Sequence, residues 1–412
     1  MSSEDGSKVA RWGGRWGLIV FLWVAFALAY MARQSLYSIF PVLRSELGFT
    51  EMQLALTTTV FGWVYGVANA FGGGVADRVS KQRLIAASLL CSGAALALTG
   101  LASTPEWLLA GRSLMGLAQS FYVPAALALI GTMHGPETRA RAIALHSTGQ
   151  SVGVMAGGYY GAAGAESLGW RAMLWGLAGV TAAYALVLRL VLREAGPAAA
   201  APVADGPPAP RTSFFRMLAI PSYALICLCA VAVGSNVWTL YTWLPDILHA
   251  RFQLPMTQAA VAATTAIEVP MITGMFLGAC LGDWVATRYR RGRLAVMVGG
   301  LLLACGCFYG IGAGESLVQV QAATALYAIF KGFYSANYIA FAFEVVPEDC
   351  RGLAVGSVNM ISALGGTLAP LLVGALRPAY GTLFVFGALS LFGMLCALTL
   401  GVAGSRAGRK GE

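Results

Sequence analysis

A 412-residue chain that is 58% hydrophobic and 11% charged, with mean hydropathy +0.70, lies far from the composition of soluble domains, where roughly a quarter of residues are charged. Its apolar residues run in long unalternating stretches, which excludes a porin-type barrel and leaves membrane-spanning helices. The net charge of +9 raises nucleic-acid binding as a function class, but its distribution along the chain argues against it.

Segments of spanning length fall at roughly 16–43, 51–75, 83–103, 107–132, 140–164 and 169–190, and again at roughly 217–245, 256–281, 294–314, 317–346, 352–376 and 379–403. The first is too long for the h-region of a signal peptide and has no small-residue cleavage site after it, so no cleavable leader is expected. Inside it lies Tyr30-Met31-Ala32-Arg33-Gln34. Arg33 sits about 25 Å along that helix. An arginine cannot discharge, and a charge at that depth costs at least about 2.5 kcal/mol. An anion met across an aqueous cavity is the expected reason for keeping it.

Between the sixth and seventh segments, EAGPAAAAPVADGPPAPRTS reads as a flexible linker. Three units are therefore expected: 1–192, a linker over 193–216, and 217–412. Lys and Arg concentrate on the side of the N-terminus, with Arg15, Arg78, Lys81, Arg83, Arg139, Arg141, Arg288, Arg291 and Arg293 among them. The opposite loops hold Arg44, Arg171, Arg251 and Arg377. Both termini are thus expected in the cytoplasm, and the positive charge is topological rather than a nucleic-acid footprint.

The chain also repeats. Gly73…Asp77-Arg78…Arg83 returns half a chain later as Gly282-Asp283…Arg288…Arg293, and Pro136-Glu137-Thr138-Arg139 as Pro347-Glu348-Asp349-Cys350-Arg351. Two halves in the same orientation imply a parallel repeat with the binding site between them.

These features resemble the major facilitator superfamily over essentially the whole chain. The resemblance implies an all-α integral membrane protein of 12 transmembrane helices in two pseudo-symmetric six-helix bundles. It implies a cytoplasmic gate at Asp77, Arg78 and Arg83 with Asp283, and a conformational role for Arg112 in Arg112-Ser-Leu-Met-Gly116. Within the superfamily the chain is similar to the anion:cation symporters, the sialin and sugar-acid transporters, and to their organophosphate:phosphate antiporter relatives. Tyr30-x-x-Arg33 matches that branch's anion anchor. Tyr65, Gln150 in HSTGQSVGV and Asn359 in SVNMISALGGTLAP match its substrate-orienting positions. Ala32 and Gln119 stand where proton-coupled members carry acids, so facilitated or exchange transport is expected.

The side-chain chemistry suits the same ligand. A guanidinium offers a planar fork to a carboxylate or phosphate, and Tyr, Gln and Asn orient hydroxyls. Lys331, in the middle of segment ten, is either a second cation for substrate or coupling, or a lysine paired internally. Tyr334, Asn337 and Tyr338 follow it at helical offsets. Glu268 is read as an ion-pair partner of Lys331 or Arg33, or as a proton carrier. His146 is read as packing or pH-sensing. Tyr241 and Trp238 line the substrate path or belong to an aromatic belt.

The expected function is a secondary active or facilitative transporter of a small organic anion, a monocarboxylate or sugar acid, with dicarboxylates or organophosphates also open. The coupling partner would be H+ or a counter-transported anion. The other reading is an exporter of amphipathic, lysolipid-like molecules. No enzyme, cofactor or metal site is expected: the eight cysteines fall in apolar segments, and no Walker-type phosphate loop occurs. A monomer in a bacterial-type inner membrane is expected.

Overall fold

A computed structural model describes residues 14–194, 214–289, 291–347 and 350–407. Among them the regular structure is helical, in fifteen helices. In chain order they are α1 (Gly14–Tyr37), α2 (Phe40–Leu47), α3 (Glu51–Arg78), α4 (Lys81–Gly100), α5 (Pro105–Ser120), α6 (Tyr122–Met133), α7 (Pro136–Leu168) and α8 (Trp170–Glu194). There follow α9 (Phe214–Leu218), α10 (Pro221–Phe252), α11 (Met256–Ala286), α12 (Gly292–Ala313), α13 (Leu317–Val345), α14 (Arg351–Gly366) and α15 (Leu368–Ala407). Most of the expected linker, 193–216, lies outside the described residues.

Local chemistry sets the helix boundaries. Thr50 with Gln53, and Ser316 with Gln319, form reciprocal capping boxes at the starts of α3 and α13. Pro105 and Pro221 occupy first turns, where a missing N–H costs nothing. Three predicted spans differ from expectation, with a common cause. The first, the fourth and the eleventh are each interrupted, because α1, α5 and α14 stop at Tyr37, Ser120 and Gly366. Each stop lies four residues before a proline: Pro41, Pro124 and Pro370. A proline has no N–H for the carbonyl four residues back, and its ring crowds that carbonyl. Pro245 and Pro270, by contrast, lie inside α10 and α11 without ending them. The eleventh and twelfth spans run together in a stretch whose regular dihedrals fail at Gly381, at φ 78°.

Among the described residues, eight helical stretches are long and apolar enough to cross a membrane by length and composition. The helices α3, α7 and α13 are of spanning length but more polar, and they carry many of the candidate site residues.

The described chain divides into two compact units: residues 1–53, 60–206 and 256–261 in the first, and 54–59, 207–255 and 262–412 in the second. In the first, α1 packs on α7, and α4 on α5 and α8. In the second, α10 packs on α14 and α15, and α12 on α13 and α15. Each unit buries its own core, around Leu22, Leu89, Tyr122 and Leu188 in the first and Tyr223, Met297, Tyr334 and Leu400 in the second.

Lipid supplies no hydrophobic force between helices, so contact depends on close approach. Along α7, Gly149, Gly153, Gly157 and Gly161 rest on the α1 backbone from Trp23 to Ser35. A methyl added at Gly157 would stand 2.6 Å from Met31 O. In the second unit Gly274, Gly278 and Gly282 of α11 give the same approach to Ile329, Phe333 and Asn337 of α13.

Candidate functional site

Arg33, only 8% exposed, lies one turn from the end of α1. Its Nη2 donates to Gln119 Oε1 at 2.8 Å and its Nε to the same oxygen at 3.3 Å. Gln119 Nε2 donates to Ala29 O at 3.0 Å, which turns the amide oxygen toward the guanidinium. Three rings surround the cation: Tyr30 at 4.3 Å from Cζ to centroid, Phe61 at 4.5 Å and Tyr65 at 5.2 Å. Phe61 and Tyr65, one turn apart on α3, stack on each other at 5.9 Å. Such faces stabilise a desolvated cation by up to about 2 kcal/mol each.

Arg112, fully buried on α5, donates to Tyr37 Oη at 2.8 Å and approaches Met115 Sδ at 3.4 Å. Its Cζ lies 4.9 Å from the Phe61 centroid, so one phenyl ring serves both arginines. Phe61 is the residue that sequence reasoning missed. Its position one turn before Tyr65 is the available signal.

His146 is buried in an aromatic stack, 4.6 Å from Phe26 and 6.0 Å from Tyr122, and Phe26 meets Tyr30 edge-on at 5.0 Å. Tyr122 Oη donates to Leu22 O at 2.6 Å, so it accepts from His146 Nε2 at 3.3 Å, which places the imidazole proton on Nε2. Gln150 follows one turn later on α7, half-buried, with no side-chain hydrogen bond among the described residues. At the expected gate Arg83 is exposed, whereas the side chains of Asp77 and Arg78 lie outside the described ones.

In the second unit Glu268 is fully buried on α11. Its Oε1 accepts from the Tyr241 hydroxyl of α10, and its Oε2 has no hydrogen-bond partner among the described residues. One turn on, Met271 Sδ lies 3.0 Å from Lys331 Nζ of α13. No ion pair joins Lys331 and Glu268 among the described residues. Tyr334 and Tyr338 continue the face of Lys331 and stack at 5.5 Å. Asn337 instead faces α11, donating to Gly278 O at 2.9 Å. Asn359 is exposed and accepts from Tyr338 Oη at 3.4 Å. Trp238 is half-buried on α10. Asp283 pairs with Arg293 at 2.6 Å, and Arg293 reaches Glu344 at 3.9 Å.

A family profile for the Major Facilitator Superfamily matches residues 22–370 and, again, 271–410. The D-galactonate transporter of Escherichia coli O6:H1 (strain CFT073) is 23% identical over 94% of this chain and 95% of its own length. The human voltage-gated purine nucleotide uniporter SLC17A9 is 23% identical over 86% of this chain and 84% of its own. Among solved structures, the inward-facing, unoccupied bacterial homolog of the human lysosomal transporter Spinster superposes with a TM-score of 0.77 at 19% identity, covering 94% of this chain and 95% of that one.

Proposed function

This chain belongs to the Major Facilitator Superfamily and is a multi-pass membrane transporter, and from that premise we propose that it carries small organic anions by alternating access. Relatives named for a sugar acid and for purine nucleotides support an anionic cargo. The observation that carries the reading is the buried Arg33 guanidinium, oriented by the Gln119 amide and bedded on Tyr30, Phe61 and Tyr65. That fork suits a carboxylate or phosphate.

In this reading Arg33 is the anchor, and Tyr30, Tyr65, Gln150 and Asn359 orient the substrate. Lys331 is a second cationic docking point, with Tyr241 and Trp238 as walls. Asp77, Arg78, Arg83, Arg112 and Asp283 belong to the gating machinery. The preferred cargo is a monocarboxylate or sugar acid, and an organophosphate or dicarboxylate is the wider class. The chain works as a monomer in a bacterial-type inner membrane, with both termini cytoplasmic and the bundles 1–192 and 217–412 joined by 193–216. Ala32 is buried, and Gln119 hydrogen-bonds Arg33, so neither adds a titrating acid at the anchor. The amphipathic-exporter reading is not favoured, since the two sequence relatives above are named for a sugar acid and for purine nucleotides.

Proteoliposome counterflow with D-galactonate, nicotinate and ATP tests the proposal. Uptake of at least one anion, lost in Arg33→Ala, is expected. A protein that carries none of them, and is stabilised only by lysophospholipid in a thermal-shift screen, overturns it.

A further inference from the structure

The C-terminal end of α10 borders a cavity of about 460 Å³ inside the second unit. That volume falls within the roughly 300–1,000 Å³ of small-molecule sites. Ile247, Ala250 and Arg251 of α10 form one wall, and Arg377, Thr382 and Leu383 of α15 another. Gly381, where the regular dihedrals of α15 fail, also lines the cavity, and a Cβ added there would meet nothing within 4 Å. Two of the lining residues are arginines and none is acidic. The two arginines are not equivalent. Arg377 is compensated: it pairs at 3.1 Å with Asp246, whose side chain is 1% exposed, and lies 4.6 Å from the Trp243 ring centroid. Arg251 is exposed and forms no ion pair among the described residues. Its Nη1 donates to Gly312 O of α12 at 3.3 Å. A carbonyl is neutral, so that contact orients the guanidinium and leaves its charge uncompensated among the described residues.

We propose that this cavity is a second anion site, separate from the Arg33 anchor, for a phosphate or carboxylate head carried on an apolar body. The proposal does not depend on what the protein transports, since Arg33 belongs to the first unit and does not line the cavity. Arg251 supplies the charge and the planar fork. Thr382 offers a hydroxyl to a remaining oxygen of the head. The Arg377–Asp246 pair backs the site: its guanidinium lies in the wall, whereas the buried Asp246 carboxylate does not line the cavity and so does not repel the anion at contact. Ile247, Ala250 and Leu383 seat the apolar body. A bare inorganic ion leaves that seat unused, so an alkyl-linked head is held better than the same head alone. Occupancy ties α10, α12 and α15 together beside the break at Gly381. Gly312 and Arg293 stand at opposite ends of α12, so the site is remote from the Asp283–Arg293 pair. Two sources present this chemistry, the headgroup of an acidic lipid and a free amphiphilic anion.

Native mass spectrometry of the purified full-length protein reads the site, with phosphatidylglycerol, zwitterionic phosphatidylcholine, hexyl phosphate and inorganic phosphate as probes. Wild type is expected to bind phosphatidylglycerol or hexyl phosphate more tightly than phosphatidylcholine and inorganic phosphate. Preference for phosphatidylglycerol assigns the site to a lipid headgroup, and preference for hexyl phosphate to a free anion. Arg251→Gln should weaken that binding roughly fivefold to tenfold, the lower part of what a charge-assisted hydrogen bond is worth because Arg251 is open to solvent. Arg251→Lys should retain part of it, and Arg33→Ala all of it. Ala250→Phe fills the cavity from an exposed position while keeping every charge. It should give the same loss as Arg251→Gln, and it decides should that variant fail to insert. Wild type that binds neither phosphatidylglycerol nor hexyl phosphate above the other two probes overturns the proposal. So does unchanged binding in Arg251→Gln or in Ala250→Phe. Loss of binding in Arg33→Ala assigns the probe to the anchor and overturns it as well.

Discussion

Arg33 directs two of its nitrogens, Nη2 at 2.8 Å and Nε at 3.3 Å, at the single oxygen Oε1 of Gln119. The amide is itself fixed, because its nitrogen is tied to Ala29 O. A neutral acceptor thus orients the guanidinium through two of its nitrogens.

Gln119→Glu changes that relation at one atom. Beside Arg33 the new carboxylate favours its ionised form and occupies the fork. Anion affinity at neutral pH is expected to fall by about tenfold or more, the worth of a charge-assisted hydrogen bond. The loss should be present above the pH at which the new acid titrates and disappear below it, since the protonated acid releases the fork. Equilibrium binding across a pH series reads the reversal, with wild type as the reference.

Arg33→Lys keeps the charge and removes the planar fork. Binding is expected to weaken by about 1.5–3 kcal/mol, and counterflow to drop to near background. An unchanged affinity would remove Arg33 from the site.

The glycine stripe of α7 predicts a stability effect. Gly157→Leu forces a side chain against Met31 O, where even its first carbon would lie at 2.6 Å. Overpacking of this kind costs about 1–3 kcal/mol. Gly179→Ala on α8 is the control, because a Cβ there meets nothing within 4 Å. A lowered Tm in the first variant and an unchanged Tm in the second are expected in detergent.

Asp246 of α10, with its side chain 1% exposed, accepts from Arg377 Nη2 at 3.1 Å, and that guanidinium lies 4.6 Å from the Trp243 ring centroid. Asp246→Asn removes one charge of a buried pair and is expected to cost about 3–5 kcal/mol. A drop in Tm with anion affinity retained would mark this pair as structural.

The helical fold and the prominence of Arg33 were legible in the sequence because they depend on composition, run length and one out-of-place charge. The partners of that charge were not. Gln119 is far from Arg33 in the chain, and which face of α5 it occupies depends on helix rotation, which hydropathy does not encode. Its identity as an amide pointed to missing titration; its contact shows what it does instead. Phe61 looked like one more apolar residue. Glu268 was recognised as an anomaly, but its hydrogen bond to Tyr241 comes from the placement of α10 beside α11, which no local pattern announces. The interrupted helices were recoverable in principle. Pro41, Pro124 and Pro370 each mark the stop four residues upstream, but inside long apolar runs hydropathy masks them.

Two of those prolines bear on how the anchor is held. Arg33 lies in the closing turn of α1, and Gln119 is the penultimate residue of α5. At both places the carbonyl that would have received an N–H from Pro41 or Pro124 receives none. Reorienting either helix end therefore breaks no proline-site backbone bond, since none was formed there. The glycine stripe holds α1 against α7 as one stiff beam as far as Ser35, past Arg33, and the proline break frees only the turn beyond it. The guanidinium fork is therefore rooted in the clamped beam, held in register against α7, and the freedom at the breaks belongs to the turns that follow it.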